Sequence, residues 1–174
     1  MHERTAARDR RRAQEFESFV AGAAGRLLHA ATLLTAEPPR ENPRAQRLLL
    51  AALSYTYAHW DQLRGEDPYD RTRRELASRF AGSAWRYHWA ALTALLRARQ
   101  AGGPAHRGGV LERLGPQERL ILVLRLYEGV AEEQTAALVG LPVERVHGIC
   151  VRAMATLRRP PVKASPRFPE VAAR

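Results

Sequence analysis

The sequence has little cysteine, lysine or acid, and each shortage excludes something. A single cysteine, Cys150, cannot form an internal disulfide or build a thiolate zinc site, so a reducing setting is expected. The six histidines (His2, His29, His59, His88, His106 and His147) show no HExxH or other paired-ligand spacing. There is no P-loop and no GxGxxG, because Gly102, Gly103, Gly108 and Gly109 stand in a loop-like stretch rather than between a strand and a helix. No enzymatic activity, metal or cofactor is expected. The opening MHERTAARDRRR lacks the apolar core of a signal peptide, and no apolar run nears the roughly 20 residues of a bilayer span. The expectation is a cytoplasmic protein with no membrane partner.

What the chain does have is arginine. Lys163 is the one lysine, and 28 basic residues face 18 acids for a formal charge of +10. Both parts are basic: residues 1 to 100 hold 17 arginines against 11 acids, and residues 101 to 174 hold 11 cations against 7 acids. Codon bias accounts for arginine over lysine, but not for cations over anions. That excess suits a polyanion such as nucleic acid. Five arginines, Arg4, Arg8, Arg10, Arg11 and Arg12, make a basic N-terminal arm that reads as solvated or as a contact for DNA.

Apolar residues recur at helical spacing and Gly and Pro cluster into a few breaks, so the chain reads as all-α, with five or six helices. The first runs from about Asp9 to Leu34 with an apolar stripe of Phe16, Phe19, Val20, Ala23, Leu27, Leu28, Ala31 and Leu34. The prolines of TAEPPRENP, residues 35 to 43, end it. A second helix fits Arg44 to Gln62 and a third Tyr69 to about Arg99. RQAGGPAHRGG, residues 99–109, reads as a linker, and shorter helices follow at Pro116–Tyr127, Glu132–Val139 and Pro142–Leu157. The organisation expected is two small helical domains, 9–98 and 110–159, joined by this Gly/Pro-rich linker, with a flexible tail over 160–174.

The second of these domains contains a helix-turn-helix pattern. Such a unit needs a small residue near its fifth position, where the helices cross, and a glycine near its ninth, where the turn is left-handed. With Gly140 as the ninth, Ala136 is the fifth, and Val139, Leu141, Val146 and Ile149 take the buried positions. Thr135, at an expected apolar position, is the one departure. The second helix then turns Val146, Ile149, Cys150, Ala153 and Leu157 inward and Glu144, Arg145, His147, Gly148 and Arg152 outward. Arg145, His147, Gly148, Arg152 and Arg158 are the candidate DNA contacts, Arg145 foremost. A solvated, dipole-matched helix end is the plainer reading of Arg152, Arg158 and Arg159.

These residues also carry a family resemblance. LGPQERLILVLRLYEGVAEEQTAALVGLPVERVHGICVRAMATLR, residues 114–158, resembles the promoter-binding C-terminal domain of the extracytoplasmic-function (ECF) type of bacterial RNA polymerase sigma factor. Its leading helix, AALVGL turn and VxRVxxxxxRAMxxLR helix match in order. FESFV, RLLHAATLLT, YAHWDQL and EDPYDRTRREL resemble, more weakly, the family's N-terminal domain, which docks on polymerase and opens the promoter. The resemblance implies a transcription initiation factor whose two linked domains read two promoter elements at once. Its implied partners are duplex promoter DNA, the RNA polymerase core and an anti-sigma factor or other regulatory protein.

It also assigns residues. Single-stranded DNA would stack on Trp85 or Tyr87 and track along Arg71, Arg74 and Arg86; core packing is the alternative for the aromatics. Gln46, Arg47, Leu50 and Trp60 stand where the family docks on polymerase, but Arg47 replaces an expected acid. His147 stands where lysine is common, Ile149 where arginine is common, and Pro142 where a capping serine is common. These departures favour a second reading, an adaptor that binds polymerase or another regulator without initiating by itself. An ordinary dimeric repressor is a third.

Overall fold

The computed structural model describes residues 2–83 and 110–159. Helix α1 spans His2–Thr35, α2 Pro43–Ala58 and α3 residues 68–83, with a short 3-10 turn at Trp60–Gln62. After a second 3-10 turn at Val110–Arg113 come α4 (Pro116–Leu122), α5 (Glu132–Val139) and α6 (Val143–Arg158). The class is all-α, and no strand occurs among the described residues.

The helix boundaries follow from local chemistry. α1 stops at Thr35 because Ala36 turns to φ +56° ahead of Pro38 and Pro39. The carboxylate of Glu37 accepts the Arg44 and Ala45 amides at 3.1 and 2.8 Å, which satisfies the otherwise bare start of α2. α2 ends at Ala58, four residues before the sequence suggests, and the chain tightens into the Trp60–Gln62 turn. At the other end α1 reaches beyond the expected Asp9. The basic arm is thus helical, and it is tied down: Arg8 and Arg12 lie 3.2 and 3.8 Å from Asp61, and Arg11 bonds Glu15 at 2.7 Å.

The apolar stripe of α1 is the spine of the core. Leu27, Ala31 and Leu34 are fully enclosed, against Ala45, Leu49 and Ala52 of α2 and Leu76, Ala77 and Phe80 of α3. Phe16 and Phe19, half-buried, form an aromatic end-group with Tyr57 and Trp60; Phe16 meets Trp60 edge-on at 5.3 Å. Two buried polar pairs fix the register between helices. Asn42 donates to Thr32 at 2.9 Å, and the Thr56 and Thr72 hydroxyls meet at 2.9 Å.

The same core continues into the C-terminal half: Leu120, Val123, Leu124 and Val130 belong to the cluster built on α1. Two smaller clusters hold the C-terminal helices to each other. Ile121, Ala136, Val146 and Ile149 make one, and Leu114, Leu122 and Ala153 the other. The expected linker at 99–109, the tail at 160–174 and the remainder of the third helix lie outside the described residues.

Candidate nucleic-acid interface

The segment from Glu132 to Arg158 folds back on itself. Gly140 takes φ +68°, and the Leu141 amide bonds the Ala136 carbonyl at 3.1 Å, so α5 ends in a left-handed turn that costs a glycine little. Pro142 opens α6, its carbonyl accepting the Arg145 and Val146 amides at 3.0 and 3.1 Å. A proline loses nothing there, because that position has no intrahelical donor to give up. Ala136, buried, lets the helices cross closely. Thr135, the departure from the apolar pattern, is fully buried with its hydroxyl bonded to the Ala131 carbonyl at 3.0 Å. A threonine satisfied by its own helix occupies a core site without an orphaned donor.

The facing expected for α6 is the one observed. Val146, Ile149 and Ala153 are buried, with Cys150 and Leu157 half-buried against them. Ile149 is therefore part of the core, as its expected inward position implies. Burial raises the Cys150 thiol above its ordinary value, so it stays a protonated packing residue.

On the outward face Arg145, Arg152 and Arg158 are exposed and have no acidic partner among the described residues. Arg145, Gly148 and Arg152 follow at i, i+3 and i+7, one face of a helix. The Arg152 guanidinium lies over Gly148, 3.4 Å from where a Cβ would stand. His147 differs from the arginines: its Nδ1 sits 3.2 Å from the Glu132 carboxylate of α5, a pairing that no sequence signal marked. Arg159, just past α6, gives its carbonyl to Arg113 at 2.6 Å, which fastens the end of the helix.

The N-terminal candidates are placed differently. Arg71 lies 3.6 Å from Glu66 and donates to the Tyr55 hydroxyl at 3.3 Å, and Arg74 pairs closely with the same Glu66. Trp85, Arg86 and Tyr87 lie outside the described residues. On α2, Gln46, Arg47 and Leu50 share an exposed face, Leu50 being 66% exposed. Arg47 lines an open cavity of about 330 Å³ together with Arg44, Arg79, Leu48 and Phe80. Trp60 does not join that face; it is half-buried among Phe16 and Phe19, its indole donating to Glu15 at 3.4 Å. His59 rests on Tyr55 with Nδ1 at that residue's carbonyl, 2.8 Å away, so it packs rather than acts as a base. No group of three or more metal-ligating side chains occurs among the described residues, and no described helix is long and apolar enough to cross a membrane.

Residues 110–159, the segment that holds this geometry, match the family model "Sigma-70, region 4". Most of the chain is similar to the RNA polymerase sigma-E factors of Streptomyces coelicolor and Streptomyces avermitilis. Each is 29% identical over 153 residues, covering 83% of this chain and 84% and 83% of the relatives. Together these matches make the chain similar to sigma factors, with region 4 as the part a family model matches. No solved structure is a significant match. The region 4 match coincides with the second and third core clusters and with the outward arginines of α6. The similarity to these relatives extends well beyond region 4.

Proposed function

We propose that this protein is a transcription initiation factor that binds promoter DNA and the RNA polymerase core, with α6 as its duplex reader. The observation that carries the reading is the outward pair Arg145 and Arg152, with Arg158 exposed at the end of the same helix, free of acidic partners among the described residues, on a helix held by its own small core. Uncompensated guanidinium groups at that spacing match the phosphate and base edges of a major groove. Arg152 reaches across Gly148 on that face, and His147, held by Glu132, is the secondary contact. The protein acts in the cytoplasm beside polymerase and catalyses no reaction itself. Arg71 and Arg74 enter the expected single-strand role by exchanging Glu66 for a phosphate, and Arg86, Trp85 and Tyr87 complete that candidate set.

The α2 face supports a second reading. Arg47 stands exposed beside Arg44 and Arg79 around an open cavity, which suits an acidic partner surface. An adaptor that binds polymerase, an anti-sigma factor or another regulator without initiating alone would use that face. In vitro transcription with purified core polymerase separates the two: initiation from any promoter supports the first reading, and polymerase or regulator binding without initiation supports the second.

A further inference from the structure

The carboxylate of Glu128 is the most enclosed charge whose partners lie far along the chain. It follows directly on α4, whose end widens over Val123–Tyr127 so that the Glu128 amide reaches the Val123 carbonyl, five residues back, at 2.9 Å. A wide turn of this kind shifts the side chains after it out of helical register, and such turns recur where a residue must be aimed. Here it aims Glu128 into the N-terminal half. The side chain is 1% exposed. The Tyr69 hydroxyl lies 3.0 and 2.9 Å from its two oxygens, within reach of either. Arg26 of α1 stands 3.4 Å away, and Arg73 of α3 stands 4.0 Å away.

Neighbouring contacts bridge the same seam. Tyr127 donates to the Arg26 carbonyl at 3.4 Å and rests its ring 5.1 Å from that of His29, while Arg26 lies over the Tyr69 ring. Under these polar groups Leu120, Val123, Leu124 and Val130 complete the core of α1. Burial and the bond to Glu128 together hold the Tyr69 hydroxyl well above its ordinary range, so the donor stays protonated. None of this covers α6, whose arginines remain exposed with the seam closed.

We propose that Glu128 is a latch between the two halves of the molecule: it holds the region 4 helices closed on α1 and α3, and it must release before the halves can occupy separate promoter elements. The release half of this rests on the function proposed above; the closed seam does not. A buried carboxylate makes the device close to all-or-none. When the halves part, Glu128 exchanges Tyr69, Arg26 and Arg73 for water together, because a half-broken seam strands a charge away from solvent.

The test compares the full-length chain with Glu128→Gln and Tyr69→Phe by hydrogen exchange and small-angle scattering. Quenching one charge or one donor of an enclosed set makes exchange across the facing amides of α1 and α4 roughly ten- to a hundred-fold faster. It also raises the radius of gyration. Exchange within α5 and α6 stays as in the wild type, which separates opening from unfolding. Unchanged exchange and radius in both variants, or a wild-type radius already that of two separated halves, overturns the latch. Adding promoter DNA with polymerase core to the wild-type chain speeds exchange at the seam if release accompanies engagement, and seam protection that persists in that complex overturns the release. Failure of the wild type to bind promoter DNA or core counts instead against the proposed function, since the closed seam is read on the free chain.

Discussion

Arginine does two different jobs in the two ends of this molecule. In the N-terminal half many of the cations are matched by the chain's own acids: Arg8 and Arg12 to Asp61, Arg71 and Arg74 to Glu66, Arg73 to Asp70, and Arg79 to Glu75. On α6 the same residue type stands exposed without such partners. A guanidinium already neutralised by a carboxylate offers little to a phosphate, whereas an unmatched one releases counterions when a polyanion arrives. Net charge favours a polyanion, and the pairing pattern marks α6 as the candidate surface for it.

The comparison breaks most visibly on α6. Replacing Arg145 and Arg152 together by alanine should weaken promoter-duplex binding by about 2–6 kcal/mol and lower the salt dependence by about one unit per lost phosphate contact. Thermal stability should hold, because neither side chain supports the core. Fluorescence anisotropy across a salt series with a melting curve checks both, and a lower melting temperature with unaltered binding would reverse the assignment.

Glu66→Ala sharpens the comparison from the other side. Removing the one carboxylate shared by Arg71 and Arg74 should lower stability by about 1 kcal/mol. It should also strengthen salt-sensitive binding of single-stranded oligonucleotides, since two cations lose their internal partner. If oligonucleotide binding stays where it was, those arginines face no strand.

Tyr69 gives a pH signature. Its folded-state pKa is raised, by burial first and then by Glu128. Its contribution is complete below the unfolded value of about 10 and is lost as pH climbs past it, because the unfolded chain then releases the proton more readily. Denaturant melts at rising pH should show the gap between wild type and Tyr69→Phe shrinking in alkali; a gap that is constant with pH would deny the shift. The smallest effect belongs to Arg8→Ala, expected within about 0.5 kcal/mol of the wild type, since its pair with Asp61 is exposed. A differential scanning measurement showing a larger loss would make the N-terminal stretch of α1 a structural strut.

Much of the interface was legible in the residues. Ala136, Gly140 and the period of Val146, Ile149 and Ala153 encode a helix-turn-helix because short-range sterics and a 3.6-residue repeat act within one segment. Thr135 departs from the apolar pattern in type only, because its hydroxyl is satisfied by the Ala131 carbonyl and the side chain can be buried. The family resemblance groups Trp60 with the α2 face, but α2 ends at Ala58 and the following turn swings the indole under α1. The partners of Arg71, Arg74 and His147 depend on how segments pack, and no spacing rule reports that.

Sequence alone determined the all-α class, the breaks at Pro38 and Gly140, and which side of α6 is apolar, because each depends on backbone preferences and periodicity within a few turns. Tertiary structure alone decided that Glu128 meets Tyr69, 59 positions earlier, and that Asp61 meets Arg8 and Arg12 of the basic arm. Such contacts join residues whose separation along the chain carries no information about their separation in space, until the apolar faces of α1 and α4 come together and fix it.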